Sequence, residues 1–358
     1  MEGQFRCMVL AMGMFGAGRI RKVLTRARVS VPALVLMYHR IGAVSRDPWQ
    51  LAVTAAHFAE HLEVVRRYGR PLAVRDLTRA LATGRTPRRG IVLTLDDGYA
   101  DNLFQARPLL EQHDVPATIF VAAGCLGRRE GFWWDQLEQL ILSPVELPRW
   151  LRLEIRGQVH QHDMGVDTRY PVEAQMEHAG WRAGTEIPTE RHRLFLALYR
   201  LLRPLSDPER QRALASLAAW SGIPASGPAE ARPLTPPEMR ALAEDGLVEI
   251  GAHTLTHPQL SALDRESQRS EILGSRLALE DVVGAEVVSF AYPYGSRSDY
   301  TRETVTLVAE SGFSGACAAV PGVVRRSTGR FELPRFHVDD CDGDGLARRL
   351  ADWMAVDT

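Results

Sequence analysis

Two carboxylates stand side by side at Asp96-Asp97, and two histidines lie four apart at His253 and His257. The acids end an apolar run, in the order Thr94-Leu95-Asp96-Asp97-Gly98-Tyr99. Adjacent carboxylates at a strand end are costly to bury unless a cation or hydrogen bonds hold them. Side chains alternate along a strand, so the two acids can divide the work, one ligating a metal and the other taking a proton. A polar turn is the other reading, with Asp97-Gly98 as turn chemistry and Asp101 or Asn102 as a helix cap. The second motif is His253-Thr254-Leu255-Thr256-His257-Pro258. Histidines four apart share one face if the segment makes a helical turn, which suits a shared divalent ion. Loop histidines bonded to backbone groups would have the same spacing. Together, one carboxylate and two imidazoles form a three-ligand set that leaves positions open for water and substrate. The third motif, Phe290-Ala291-Tyr292-Pro293-Tyr294-Gly295, reads either as a fixed loop with a backbone N–H facing a developing oxyanion, or as an aromatic turn packed on a helix.

All three motifs follow apolar runs within an alternation of short apolar and amphipathic stretches, the mark of a mainly parallel α/β architecture. Strands are predicted over 34–38, 91–95, 117–121, 247–251 and 287–292, with two more over 313–318 and 332–338. Helices are predicted over 55–68, 75–82, 101–113, 265–283, 302–311 and 345–354. The motifs therefore sit at C-terminal strand ends, where α/β barrels keep their active sites. Residues 131–235 break the alternation. They hold an amphipathic stretch over 134–142, possible strands, helices over 191–202 and 207–220, and the start of a proline-rich linker. The expected organisation is a barrel over 31–130 plus 236–358, an insertion over 131–235 and a leader over 1–30.

The chain has 358 residues, 45% hydrophobic and 24% charged, with net charge −1. This composition excludes a disordered chain and gives no general field for nucleic acid. Cys7, Cys125, Cys317 and Cys341 form no C-x-x-C pair, which argues for a reducing compartment. No apolar run reaches the roughly 18 residues of an integral membrane span. The leader's apolar run is followed, not preceded, by most of its charge, unlike a signal peptide, and reads as loose or interfacial, with a signal anchor as the lesser alternative. The expected location is the bacterial cytoplasm, with the leader as the route to any membrane association.

Thr94-Leu95-Asp96-Asp97-Gly98, His253-Thr254-Leu255-Thr256-His257-Pro258 and Tyr292-Pro293-Tyr294-Gly295 resemble the first three motifs of the polysaccharide deacetylases. These form the NodB-homology group, carbohydrate esterase family 4. Leu36-Met37-Tyr38-His39-Arg40-Ile41 and Leu333-Pro334-Arg335 resemble its branch acting on bacterial exopolysaccharides. The resemblance covers residues 31–130 and 236–340. It implies a distorted (β/α) barrel, usually of seven strands, that removes N-acetyl groups from an N-acetylated glycan. By position, Asp97, His253 and His257 would hold a divalent metal: zinc first, with cobalt, nickel or manganese as alternatives. Asp96 would be the general base, and the Tyr294 backbone N–H would help hold the oxyanion. O-acetyl hydrolysis, or a silent glycan-binding relative, are the competing functions.

The sequence also departs from the family pattern. Ala291 stands where many members have an arginine that bonds the catalytic aspartate, and Arg335 is the candidate replacement. His337 is the one histidine beyond residue 257, either general acid or strand core. His39 either supports the site from behind the ligands or is a satisfied core histidine. Trp133 and Trp134 face sugar rings from a lid, or fill the insertion's own core; Pro293 is expected to face substrate. Asp339, Asp340, Asp342 and Asp344 read as a solvated loop instead of a calcium site, since the EF-hand glutamate is missing.

Overall fold

The computed structural model describes residues 32–355, so the leader reading for 1–30 lies outside the described residues. In chain order, β1 (Leu34–Tyr38) leads to the short pair β2 (Arg40–Ile41) and β3 (Ala52–Val53), then α1 (Ala55–Tyr68), β4 (Arg70–Leu72) and α2 (Val74–Ala82). β5 (Gly90–Leu95), a π-helical turn at Asn102–Ala106, α3 (Arg107–His113) and β6 (Ala117–Val121) follow. The middle holds α4 (Trp133–Leu142), the hairpin β7 (Trp150–Ile155) and β8 (Gln158–Asp163), α5 (Val172–Glu177), α6 (Glu190–Leu202) and α7 (Asp207–Ser221). The alternation then resumes with α8 (Pro236–Ala243), β9 (Val248–Ala252), α9 (Arg265–Val283), β10 (Ser289–Ala291), α10 (Arg302–Glu310), β11 (Gly315–Cys317), β12 (Phe336–His337) and α11 (Gly343–Ala355).

Every residue of β1, β5, β6 and β9 is buried, as parallel strands covered on both faces require. The sheet runs β11-β10-β9-β6-β5-β1-β12, all parallel, with β4 also paired to β5. Its two edges meet through one short segment. Leu333 bonds β11 through Ala316 (2.8 Å) and Ala318 (2.9 Å), and Phe336 and His337 pair with Leu36 and Met37 of β1. The sheet thus curls into the expected distorted barrel.

Strand alternation sorts side chains to the two faces. Leu34, Leu36, Leu93, Leu95, Ile119 and Val121 join the core under the helices. Val35, Val92 and Phe120 join a separate cluster with Ala291, Cys317 and Leu333. Phe120 fits because Gly251 faces it: a Cβ there would lie 2.5 Å from the ring.

The middle segment builds a second core, in which Trp133, Trp134, Leu137, Ile141, Leu151, Phe195, Leu198 and Leu214 pack with Tyr99. Asp101 and Asn102 do not cap a helix. Asp101 accepts from Arg40 (3.1 Å) and the Ile41 amide (3.3 Å), and Asn102 donates to the His39 carbonyl (2.9 Å). Three of the four late acids are used by the protein itself. Asp339 pairs with Arg349, Asp340 accepts from His57 (2.7 Å), and Asp342 accepts from the Gly345 amide (2.7 Å). Among the described residues no helix is long and apolar enough to cross a membrane.

Candidate active site

Asp96 and Asp97 leave the end of β5 in different directions because the chain reverses there: Asp97 has φ 74° and Gly98 φ 82°. Both acids are 3% exposed. Asp96 receives two hydrogen bonds from Arg335, Nη1 to Oδ1 and Nη2 to Oδ2, each 2.7 Å. Arg335 Nη1 also donates to Thr94 (3.0 Å) and Nε to the Ala318 carbonyl (3.2 Å). Burial alone would raise the Asp96 pKa. The Arg335 charge and hydrogen bonds, with His253, override it and hold the group at about 2.

Asp97 has a different environment. Its Oδ1 lies 3.6 Å from His253 Nε2 and 3.4 Å from His257 Nε2. Burial, and then the neighbouring Asp96 charge, push its pKa well above the usual carboxylate range. Burial keeps both imidazoles below their ordinary value, and His253 further depresses His257. His253 Nδ1 lies 2.8 Å from the Ala291 carbonyl, which only accepts, so Nδ1 carries the proton and Nε2 presents a lone pair. One ligand atom from each of Asp97, His253 and His257 falls within 4.8 Å of the others. A buried carboxylate facing two neutral imidazoles is poorly satisfied by the protein alone, and this donor set fits a divalent cation.

The histidine pair is not on a helical turn, a correction to the spacing argument. Thr254 (φ 64°) and His257 (φ 54°) adopt left-handed backbone, uncommon for non-glycine residues, and the loop itself brings the rings within 4.8 Å. Glu271 accepts the Leu255 and Thr256 amides, both at 2.8 Å, and the Thr254 hydroxyl accepts the His257 amide (3.1 Å).

These groups open onto a cavity of about 110 Å³. Its lining includes Asp96, Asp97, His253, His257, Tyr294, His39 and Trp134. His39 is thus a wall residue, and its buried Nδ1 has no hydrogen-bond partner. Burial holds its pKa at about 3, against the raising effect of Asp96. His337 is not a lining residue; its ring stands edge-on to His39 at 5.9 Å, on the β12 side. Trp134 packs 4.7 Å from His257 and donates to the Tyr99 hydroxyl (2.7 Å). Trp133 does not reach the cavity. It is 4% exposed and stacks on Tyr199 at 5.0 Å within the second core. Pro293 is buried and also off the cavity; its carbonyl accepts the Gly295 amide (2.6 Å) and so shapes the Tyr294 turn. Tyr294 has φ 60°, and a Cβ on Gly295 would lie 2.6 Å from the Ala319 amide.

Met37, Trp49, Leu51 and Tyr199 complete the lining, and sequence reasoning missed them. Trp49 and Tyr199 meet at 4.0 Å although one lies in a loop and the other on α6. No local pattern links them.

A family model described as polysaccharide deacetylase matches residues 83–148 and 216–314. The chain is 28% identical over 105 residues to a putative polysaccharide deacetylase, YxkH, of Bacillus subtilis (strain 168). That match spans 29% of this chain and 36% of the relative, about a third of its length. Two solved structures share the fold. The Streptococcus pyogenes deacetylase PplD in complex with acetate is 17% identical, with 89% of this chain and 98% of that chain covered and a TM-score of 0.54. IcaB from Ammonifex degensii is 17% identical, with 90% and 97% covered and a TM-score of 0.53.

Proposed function

We propose that this chain, which matches the polysaccharide deacetylase family model and resembles the group of NodB homology, is a metal-dependent hydrolase removing N-acetyl groups from amino sugars of a glycan. The observation that carries this reading is the pairing of Arg335 with Asp96 beside the converging Asp97, His253 and His257. One acid is committed to a guanidinium and the other to a ligand set, which are the two roles such a hydrolysis needs.

Asp97, His253 and His257 would hold the cation, zinc by preference for a nitrogen-rich set. Once bound, it supplies Lewis-acid polarisation and lowers the pKa of water. Asp96 takes the proton of the attacking water. Arg335 keeps that carboxylate ionised and aligned, at a cost in basicity. The Tyr294 amide, which bonds no carbonyl among the described residues, supports the acyl oxygen as charge develops. We assign delivery of a proton to the leaving nitrogen to His39 in place of His337, because His39 lines the cavity; burial keeps it neutral, so the proton it delivers is the one that Asp96 first takes from the water and passes on. Trp134, Trp49 and Tyr199 offer ring faces and edges to the sugar. A cytoplasmic setting would make the substrate a glycan precursor or small glycoside.

The test is acetate release from a panel of N-acetylglucosamine oligomers and glycolipids, with an O-acetylated glycan included. It is run with zinc, with chelator and with Asp96→Asn. Chelator-sensitive release from the N-acetylated members, lost in the mutant, is the expected result. Release only from the O-acetylated glycan, or none from any member, would overturn the N-deacetylase reading.

A further inference from the structure

Among the groups around the metal-ligand set, the backbone loop carrying His257 is gripped from both sides by side chains of opposite charge. On one side α9 presents Glu271, which accepts the Leu255 and Thr256 amides at 2.8 Å each and the Thr256 hydroxyl at 2.6 Å. On the other side α7 presents Arg210, whose guanidinium donates to the Thr256 carbonyl (3.3 Å) and the His257 carbonyl (3.5 Å). Amides point to the carboxylate and carbonyls to the guanidinium, so both charges are stabilised by the same stretch of chain.

Arg210 is fully buried, and its carboxylate partner is missing among the described residues. A buried guanidinium without an acid is costly, and here two carbonyls and the Trp133 ring, 5.2 Å from its centre, are what compensate it. A second arginine of the same segment works on the neighbouring loop. Arg203, which follows α6, pairs with Asp299 and lies 4.1 Å over the Tyr294 ring. Asp299 in turn accepts the Ser296 amide (3.0 Å).

The two histidines differ in what orients them. A ligating histidine ordinarily donates its second ring N–H to a carbonyl or carboxylate, which fixes the ring. His253 does so at the Ala291 carbonyl, whereas His257 Nδ1 is buried without a partner. The His257 ring is instead set between Trp134 and Tyr294, both 4.7 Å away, on a backbone at φ 54°. Such a backbone persists only where its surroundings hold it.

We infer that Arg210, opposed by Glu271, is a positioning residue for His257 as a metal ligand, so that the 131–235 segment completes the metal site. This rests on the reading of Asp97, His253 and His257 as ligands. Trp133, absent from the cavity, has its function here, as the surface on which Arg210 lies.

The experiment uses the full chain and its Arg210→Met, Arg210→Lys, Glu271→Gln and His257→Ala variants. Zinc affinity is measured by competition with a chelating indicator, and thermal midpoints are taken with zinc and with chelator. Arg210→Met and Glu271→Gln are expected to raise the zinc Kd roughly ten- to a hundredfold, as loss of outer support does at metal sites. Arg210→Lys recovers part of that loss. A role in folding alone would instead lower the zinc-loaded and metal-free midpoints together and leave Kd unchanged. Zinc Kd values within twofold of wild type in Arg210→Lys and Glu271→Gln overturn the inference, even if Arg210→Met fails to fold. A wild-type chain that binds zinc no better than His257→Ala overturns the ligand reading, and this inference with it.

Discussion

Arg335 grips both oxygens of Asp96 at 2.7 Å, across 239 positions of sequence. The guanidinium comes from the segment that joins the two edges of the sheet, so the Asp96 carboxylate and the closure of the barrel depend on one another. Ala291, the departure in the third motif, lies in the same apolar cluster as Phe120, and the Arg335 guanidinium stands 5.6 Å over that Phe120 ring.

Removing the guanidinium therefore has two expected effects. Arg335→Met leaves a buried carboxylate without its cation and should cost about 3–5 kcal/mol in denaturant unfolding. The pair's own contribution is present above the ordinary carboxylate pKa and is lost as pH falls through about 2. In the variant burial without the guanidinium raises the Asp96 pKa, so its stability deficit should shrink as pH falls and the carboxylate takes up a proton, while the acidic limb of kcat should move up. An unmoved limb would separate Arg335 from the catalytic acid.

His39 and His337 should separate in kinetics. His39→Gln is expected to lower kcat by about 10²-fold or more, the range for a lost acid–base group. His337→Gln, touching the cavity only through the His39 ring, should stay within about tenfold. Comparable losses in both would return the general-acid role to the pair.

Chelation should act on stability as well as on rate. Chelator is expected to lower the thermal midpoint of the wild type, because a ligand bound to the folded chain alone stabilises it. In Asp97→Asn the midpoint should be nearly indifferent to chelator. A wild-type midpoint unaffected by zinc or chelator would count against Asp97, His253 and His257 as ligands.

The missed aromatic residues should show themselves in KM. Trp49→Ala and Tyr199→Ala are expected to raise KM for an oligosaccharide roughly three- to tenfold with little change in kcat, the size of a lost aromatic contact. Trp133→Ala should act mainly on zinc affinity and folding. The comparison needs only steady-state kinetics on one active substrate.

Acid sensitivity has a source in the middle segment. His192 is 2% exposed and packed among Tyr170, His178 and Trp181; burial lowers its pKa to about 4. The unfolded chain takes up this proton near pH 6.5 and the folded chain only near 4, so stability is lost as pH falls between those values. Between pH 7 and pH 5 the loss attributable to His192 is on the order of 1–2 kcal/mol. Denaturant titrations at both pH values should show a smaller difference in His192→Gln than in wild type.

What the sequence determined by itself was local. Apolar runs ending in chemistry-bearing residues marked the strand ends, and the amphipathic stretches at 55–68 and 265–283 coincide with α1 and α9. A strand or helix writes its period into neighbouring residues, so its extent can be read without knowing its partners. The Asp-Asp and His-x-x-x-His motifs were legible for the same reason, since each stands on one short segment.

The tertiary structure decided everything that depends on a distant neighbour. Of the two readings left open for His253 and His257, the loop and not the helical turn is the one observed, with left-handed backbone that Glu271 and Arg210, from two separate helices, hold in place. His39 reached the cavity and His337 stopped behind it because β1 and β12 pair in a register that no residue spacing records. Trp133 and Trp134 are adjacent in sequence and both join the second core, yet only Trp134 also lines the cavity, since successive helical side chains point about 100° apart. Contacts between remote segments depend on packing and on the charge each must compensate, and neither leaves a periodic trace in the chain.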